Sequence, residues 1–411
     1  MKKMLIIAAA FAVAGMANAT DYTVYKLADP APQKPDSAGF VFTDIVALPT
    51  TPVKNQAKSG TCWAFSGVTT LEEDLLRRGK GEFDLSEMFI VRNAYLEKAK
   101  KYLRTNGKIN FGQGGEYEDV LGMTAKYGAI PEEVYHGINY GETNHSHAEV
   151  SAALKAYLDA VMNAGLRSRK LSPAWEEGYN GILDAYFGKV PETFTYKGKT
   201  YTPKSFAKEI GLEPEKFVQY TSFTHHPFYE PCALELSDNW QWATSNNVPL
   251  ADLQRIVDYA LDHGYTVFWG ADVSEGGFKW ANGFAVNPAE KKEDEMTGSE
   301  LARWVKLSDR EKSAAIYNIK NGPVPEKTVT QEMRQEGFDN YQTTDDHGMA
   351  IVGYAKDQKG NKYYKVKNSW DNKQIYGGFF YVSVPYFLEK TMNIGLREEG
   401  VPADIAKKFK K

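Results

Sequence analysis

Val68, Leu71 and Leu75 recur at helical spacing and predict a helix that opens near Cys62. A second helix is predicted through Val91, Leu96 and Ala99, because Asp84-Leu85-Ser86-Glu87 ahead of them forms a capping pattern. A third, through Val120, Met123 and Tyr127, is closed by Gly128 and Pro131. Val150, Leu154, Leu158 and Val161 mark an amphipathic helix, followed by shorter helices and aromatic-rich loops to about residue 235. Pro249 suits a first helical position, and Leu250, Leu253, Ile256, Val257 and Ala260 share one face up to a stop at Gly264. The period then changes. Residues 266–273 read as a buried strand, 349–354 as another directly after His347, 363–366 alternate, and 377–382 read as a strand after a glycine turn. Residues 285–330 are charged and are expected to form an exposed excursion.

Length and composition set bounds on this picture. A chain of 411 residues with 42% apolar positions can bury one large core or two moderate ones. Lys2 and Lys3, an apolar run from Met4 to about Ala14 and Ala17-Asn18-Ala19 form a secretory signal over residues 1–19, cleaved before Thr20. The run is too short to cross roughly 30 Å of hydrocarbon, so no membrane span is expected after signal removal. No Cys follows the cleavage site, so a lipid anchor is not indicated. The expected location is therefore a bacterial periplasm or beyond. Residues 20–46, with Pro30, Pro32 and Pro35, read as an extended lead-in. The net charge of −4 becomes −6 once the two leader lysines go, which does not favour nucleic acid. The basic run 407–411 reads as a solvated chain end.

Candidate chemistry centres on Cys62. A lone Cys in an apolar stretch is most often structural. Cys62 sits where a loop meets a helix start, whose N–H groups and dipole favour a thiolate, and it differs by its company: an amide side chain six residues upstream, a Gly-Thr approach and plausible base and orienter residues far downstream. Cys232 is the only other cysteine. A disulfide would consume the nucleophile in a chain too large to need a staple, so Cys232 is read as a buried structural thiol.

Gln56, Gly60, Cys62, Trp63, Ala64 and Phe65 resemble the active-site segment of papain-like cysteine peptidases, and later segments narrow the resemblance to the bleomycin hydrolase / aminopeptidase C branch. The resemblance runs with gaps from Ala47 to Val384. It implies an α+β fold of two lobes, one helical and one β-rich, within a peptidase domain over 20–411. From Cys62 to His347 the chain runs 285 residues, against the roughly 130–150 usual for such a nucleophile and base, so a large insertion is required. We place it at approximately 137–246 and expect it to be mainly helical. The branch also implies catalytic roles. Cys62 would be the nucleophile, His347 the base, Asn368 the residue orienting it and Gln56 the oxyanion donor, with Trp370 shielding the His347–Asn368 bond. Gly114 and Gly115 would let the substrate backbone approach the cleft wall. The function implied is an exported cysteine aminopeptidase acting on peptides. A papain-like endopeptidase and a non-catalytic peptide-binding or assembly protein are the alternatives.

Two further expectations follow from the branch. One is a ring-like homohexamer with active sites facing an interior channel. The other concerns the C-terminal arm, approximately 385–411, which the branch places in the cleft. Its carboxylate would then meet the substrate's ammonium; here the tail is expected to enter around 401–406. At one position the chain departs from the family: Asp371 follows Asn368-Ser369-Trp370 where Gly is usual. His145, His147, His225 and His226 show no accompanying Cys or carboxylate spacing of a known site, so no metal and no cofactor are predicted.

Overall fold

The structure is a computed structural model that describes residues 38–290 and 292–409. The predicted signal, most of the lead-in and the last two lysines lie outside the described residues. After the short strand β1 (Thr43–Ala47), the first lobe is built on α1 (Cys62–Arg77), α2 (Glu87–Arg104) and α3 (Tyr117–Tyr127). The predicted cap of α2 is present, with Ser86 Oγ accepting from Phe89 N at 3.1 Å. Next come α4 (Ala148–Ser168), α5 (Ala174–Phe187), the hairpin β2 (Phe194–Tyr196) and β3 (Lys199–Tyr201), and α6 (Pro203–Ile210). These elements share one apolar core with α1–α3: Leu154 and Leu158 of α4, Tyr179, Leu183 and Phe187 of α5, and Phe206 of α6 join Trp63, Phe65 and Val120. Polar ties reinforce the contact, Arg92 to Asp184 at 2.6 Å and Tyr102 Oη to Asp159 at 2.6 Å.

The second lobe is a sheet. Its strands are β4 (Phe217–Thr221), the short β5 (Pro231–Cys232) and β6 (Ser245–Asn247), then after α7 (Leu250–Asp262) β7 (Val267–Ala271), β8 (Phe278–Lys279) and β9 (Phe284–Ala285). Helices α8 (Gly298–Trp304) and α9 (Asp309–Ile316) bury no residue, as the charged excursion predicts, and α10 (Gln331–Asp339) leads back to the sheet. The last strands are β10 (His347–Lys356), β11 (Lys362–Lys367) and β12 (Phe379–Ser383), followed by α11 (Val384–Lys390), β13 (Thr391–Arg397) and α12 (Ala403–Ala406). The spatial order is β5-β6-β4-β13-β7-β10-β11-β12-β9-β8, with β1 pairing the far half of β10. Helix α7 lays Leu253, Ile256, Val257 and Ala260 on this sheet, together with Trp269, Ile351 and Ile394.

The lobes meet where α1 crosses β10. Gly348 permits the approach, since a Cβ there would stand 2.8 Å from Ser66 Oγ and 3.2 Å from the Phe268 ring. Helix α1 also carries three consecutive buried acids, which its hydrophobic face does not predict. Each meets a cation from elsewhere: Glu72 with Lys54 at 2.8 Å, Glu73 with Lys367 at 3.1 Å, and Asp74 with Arg397 at 3.0 Å. Buried ions demand such partners, so the three pairs fix the rotation of α1 against both the loop before it and the sheet.

The tail corrects one expectation. All seven residues of β13 are buried between β4 and β7, and the chain leaves this strand on the side of α7. Val401 and Ile405, four residues apart, bury in the sheet core, Asp404 pairs with Arg255 at 3.1 Å, and Phe409 packs on Tyr220. No residue of 401–409 lines the cleft that holds Cys62. The i, i+4 apolar pair gives the tail a binding face of its own, and that face is used on the sheet.

Candidate active site

Cys62 is the first residue of α1, so its backbone N–H has no acceptor within the helix. The loop ahead of it is held from two sides. Gly60 N donates to Gln113 Oε1 at 2.7 Å and Trp63 Nε1 to Gln113 O at 3.0 Å. On the other side Lys58 N donates to His145 O at 3.0 Å and His147 N to Lys58 O at 3.2 Å, so residues 145–147 clamp the loop ahead of Cys62. Both cysteines are free, Cys62 half-buried and Cys232 buried.

Across the lobe junction, His347 opens β10 in register with Ala271 of β7. Its Nε2 lies 2.7 Å from Asn368 Oδ1. Asn368 Oδ1 also accepts from Ser369 N, which sets the carbonyl side of the amide toward the imidazole. An Asn oxygen can only accept, so Nε2 carries the proton and Nδ1 is left as the base. Trp370 stacks on the His347 ring at 4.6 Å and covers this bond. Gln56 is tied into the same constellation: its Oε1 accepts from Ser369 Oγ at 2.7 Å and its Nε2 donates one hydrogen to Ser59 O at 2.8 Å. The second Nε2 hydrogen remains available. The structure therefore brings Cys62, His347 and Gln56 into one pocket of about 300 Å³, with Gly114 and Gly115 in its wall and Asn368 behind His347. Gly115 has to be small, because a Cβ there would fall 2.9 Å from the Trp63 ring.

Burial dominates the protonation of the pair. It pushes the Cys62 thiol up to about 12, against the opposing backbone contacts of Gly348 and Trp63, and draws the His347 imidazole down to about 4. This burial opposes the thiolate that the helix start favours and shifts both groups toward their neutral forms. Moving the Sγ proton to the imidazole would create an ion pair with no net charge, a step favoured when donors and substrate replace the missing solvation.

Asp371 occupies the departure from the family pattern without changing the turn. It adopts φ +66, the left-handed conformation that glycine would take, and its Oδ1 accepts from Lys373 N at 2.8 Å. Asp371→Gly is expected to leave peptide hydrolysis unchanged and to shift unfolding stability by no more than about 1 kcal/mol, read by denaturant titration.

Several residues at the site escaped the sequence reading. Ser369 lies inside the recognised Asn-Ser-Trp triplet, yet only the fold reveals that it orients Gln56. Glu116 follows Gly114-Gly115, and Asp345 stands two residues before His347; both were legible as neighbours but not as pocket walls. Asp238 comes from the loop between β5 and β6 and carried no signal at all. His147 is buried against Phe187, and burial holds it neutral, down to about 3. His225 and His226 each meet Glu235 at 3.0 Å, a carboxylate partner that sequence spacing did not supply.

Comparison with known proteins agrees with this geometry. The profile of the Peptidase C1-like family matches residues 15–287, and that of the papain family cysteine proteases matches 258–393. Aminopeptidase C of Lactobacillus delbrueckii subsp. lactis is 22% identical over 412 residues, covering 89% of this chain and 83% of its own. The mitochondrial cysteine proteinase 1 of Saccharomyces cerevisiae (strain ATCC 204508 / S288c) is 24% identical over 424 residues, covering 92% and 80%. The crystal structure of PepW from Lactobacillus rhamnosis HN001 shares the fold, with a TM-score of 0.66 at 19% identity, covering 90% of this chain and 84% of that one.

Proposed function

Because this chain belongs to the Peptidase C1-like family and is a cysteine-type peptidase, we propose that it is an aminopeptidase that releases N-terminal residues from peptides through a thioester on Cys62. The observation that carries the reading is the 2.7 Å His347–Asn368 contact, roofed by Trp370, at the same pocket as Cys62 and Gln56. The relative named aminopeptidase C supports the exopeptidase class.

In the proposed reaction Cys62 Sγ attacks the scissile carbonyl as its proton passes to His347 Nδ1. The carbonyl oxygen, now anionic, takes hydrogen bonds from the free Gln56 Nε2–H and from Cys62 N–H. Collapse of this intermediate breaks the C–N bond, and the Nδ1 proton goes to the leaving amine. A water deprotonated by Nδ1 then attacks the thioester, releasing the acid and restoring the thiol. Asn368 keeps the imidazole in the tautomer that both halves need.

A neutral epoxide or vinyl sulfone should label Cys62 at pH 7; no labelling would overturn the enzymatic reading. Substrate class is tested by paired fluorogenic amides with free and acetylated amino termini, since equal hydrolysis of both would instead mean an endopeptidase. Gln56→Ala is expected to lower kcat by about 10²–10³. Ser369→Ala should move kcat in the same direction by less, because the amide remains but loses its orientation. Export is part of the proposal. Amino-terminal sequencing of the protein recovered from its native host should begin at Thr20. The homohexamer is carried with it, and sedimentation at micromolar concentration tests it.

A further inference from the structure

The pocket that holds Cys62 is walled by carboxylates. Glu116, Asp238, Asp345 and Asp346 all line it, and neither a lysine nor an arginine does. Lys98 acts on Asp238 from outside the pocket, its Nζ engaged behind the loop by Gly112 O at 3.1 Å and Gly114 O at 2.5 Å. Glu116 is the innermost of the four, only 7% exposed. Its backbone caps α3, with its N–H on Asp119 Oδ2 at 2.8 Å, so the side chain is held in place. One carboxylate oxygen, Oε2, accepts from Asn393 Nδ2 at 2.8 Å. The other, Oε1, is buried and has no hydrogen-bond donor among the described residues. Asn393 is itself placed by β13, in register with Gly270 of the pocket wall.

A buried carboxylate oxygen with no donor is costly, and two carboxyl groups side by side compound the cost. The free protein relieves this by sharing a proton: burial and the Asp345 charge raise Glu116 well above the usual carboxylate range, while burial and Asp238 raise Asp345 to about 7 against a hydrogen bond from Glu116. In the free fold the two carboxyl groups satisfy one another only through that proton. Such an arrangement suits a cation that arrives with the substrate and replaces that proton. A primary ammonium has three donors on one centre, which matches Glu116 Oε1, Asp345 and Asp238 converging from three different segments. Asp345 and Asp238 also act on Cys62, both pushing its thiol up. A cation bound between them would remove that influence at the moment the thiolate is needed.

We propose that Glu116 and Asp345, with Asp238 at the rim, form a receptor for a substrate primary ammonium beside Cys62, and so determine which peptides are cleaved. This rests on the assignment of Cys62 as nucleophile. The ammonium comes either from the peptide's own amino terminus or from a lysine side chain just before the scissile residue. The first is the source that an aminopeptidase requires.

The test uses the full chain and the isosteric variants Glu116→Gln and Asp345→Asn, the second at a half-buried position in case the first folds poorly. Three amide substrates are compared: free-amino Leu, N-acetyl-Leu and N-acetyl-Lys-Leu. Wild type should prefer a substrate bearing the ammonium, and either variant should lower kcat/KM for that substrate by about 10²-fold, collapsing its ratio to N-acetyl-Leu. Loss confined to free-amino Leu identifies the terminal ammonium; loss confined to N-acetyl-Lys-Leu identifies the side chain. A binding readout stands apart from turnover. Leucinamide, and in a parallel arm N-acetyl-lysinamide, should slow labelling of Cys62 by a neutral epoxide in wild type but not in the variants. Wild-type substrate ratios and wild-type protection in both variants would overturn the receptor. A Cys62 that never reacts would instead overturn the nucleophile assignment.

Discussion

Cys62→Ala and His347→Ala are each expected to lower kcat for peptide hydrolysis by about 10⁴ or more, with the double variant little worse than either alone. The reason lies in the resting state. Burial favours the neutral Cys62 thiol and the neutral His347 imidazole, so each needs the other for proton transfer. Without His347 the Sγ proton has no acceptor at the site, and a thiol pushed up to about 12 supplies almost no thiolate at pH 7. Without Cys62 there is nothing for the imidazole to activate except water, which lacks a fixed position. Steady-state rates on a free-amino amide, normalised by circular dichroism for folded protein, measure the effect. Retention of more than about 1% of kcat by either variant would contradict the pair mechanism.

Deleting residues from Gly400 onward is expected to cost about 3–6 kcal/mol of stability, because Val401 and Ile405 leave the sheet core. Arg255 loses Asp404 at the same time, but that pair is exposed and adds little. The result to look for is a lower denaturant midpoint for the truncated chain, with an unchanged ratio of free-amino to N-acetyl substrate hydrolysis in the folded fraction. A normal midpoint together with a rise in N-acetyl hydrolysis would return the tail to the cleft. The expectation that the tail reaches the cleft came from resemblance alone, and the fold shows what overrides it. A strand inserted between β4 and β7 directs the chain, and two apolar side chains four residues apart anchor it.

Much of the architecture is legible along the chain because it depends on local period. The helices beginning at Cys62, Glu87, Tyr117 and Leu250 and the strands at Val267 and His347 each follow from apolar spacing and a turn or cap residue nearby. The residues now gathered at the pocket, Gln56, Cys62, Gly114, Gly115 and His347, with Asn368 behind, were all named from motifs. Those motifs are short and keep their chemistry in sequence order.

What the sequence by itself determined is therefore the order of the elements, the peptidase class and most of the residue types that meet at the pocket. Only the tertiary structure decided the surroundings of the pair, since the desolvation of Cys62 and His347 comes from the closure of two lobes and opposes the thiolate that the helix start favours. It also decided the acidic wall. Glu116, Asp238 and Asp345 lie far apart along the chain, and nothing local to any one of them records the other two. Charge repulsion between carboxylates acts through space, so their shared pocket exists only once the loop between β5 and β6, the α3 start and the β10 approach are packed together.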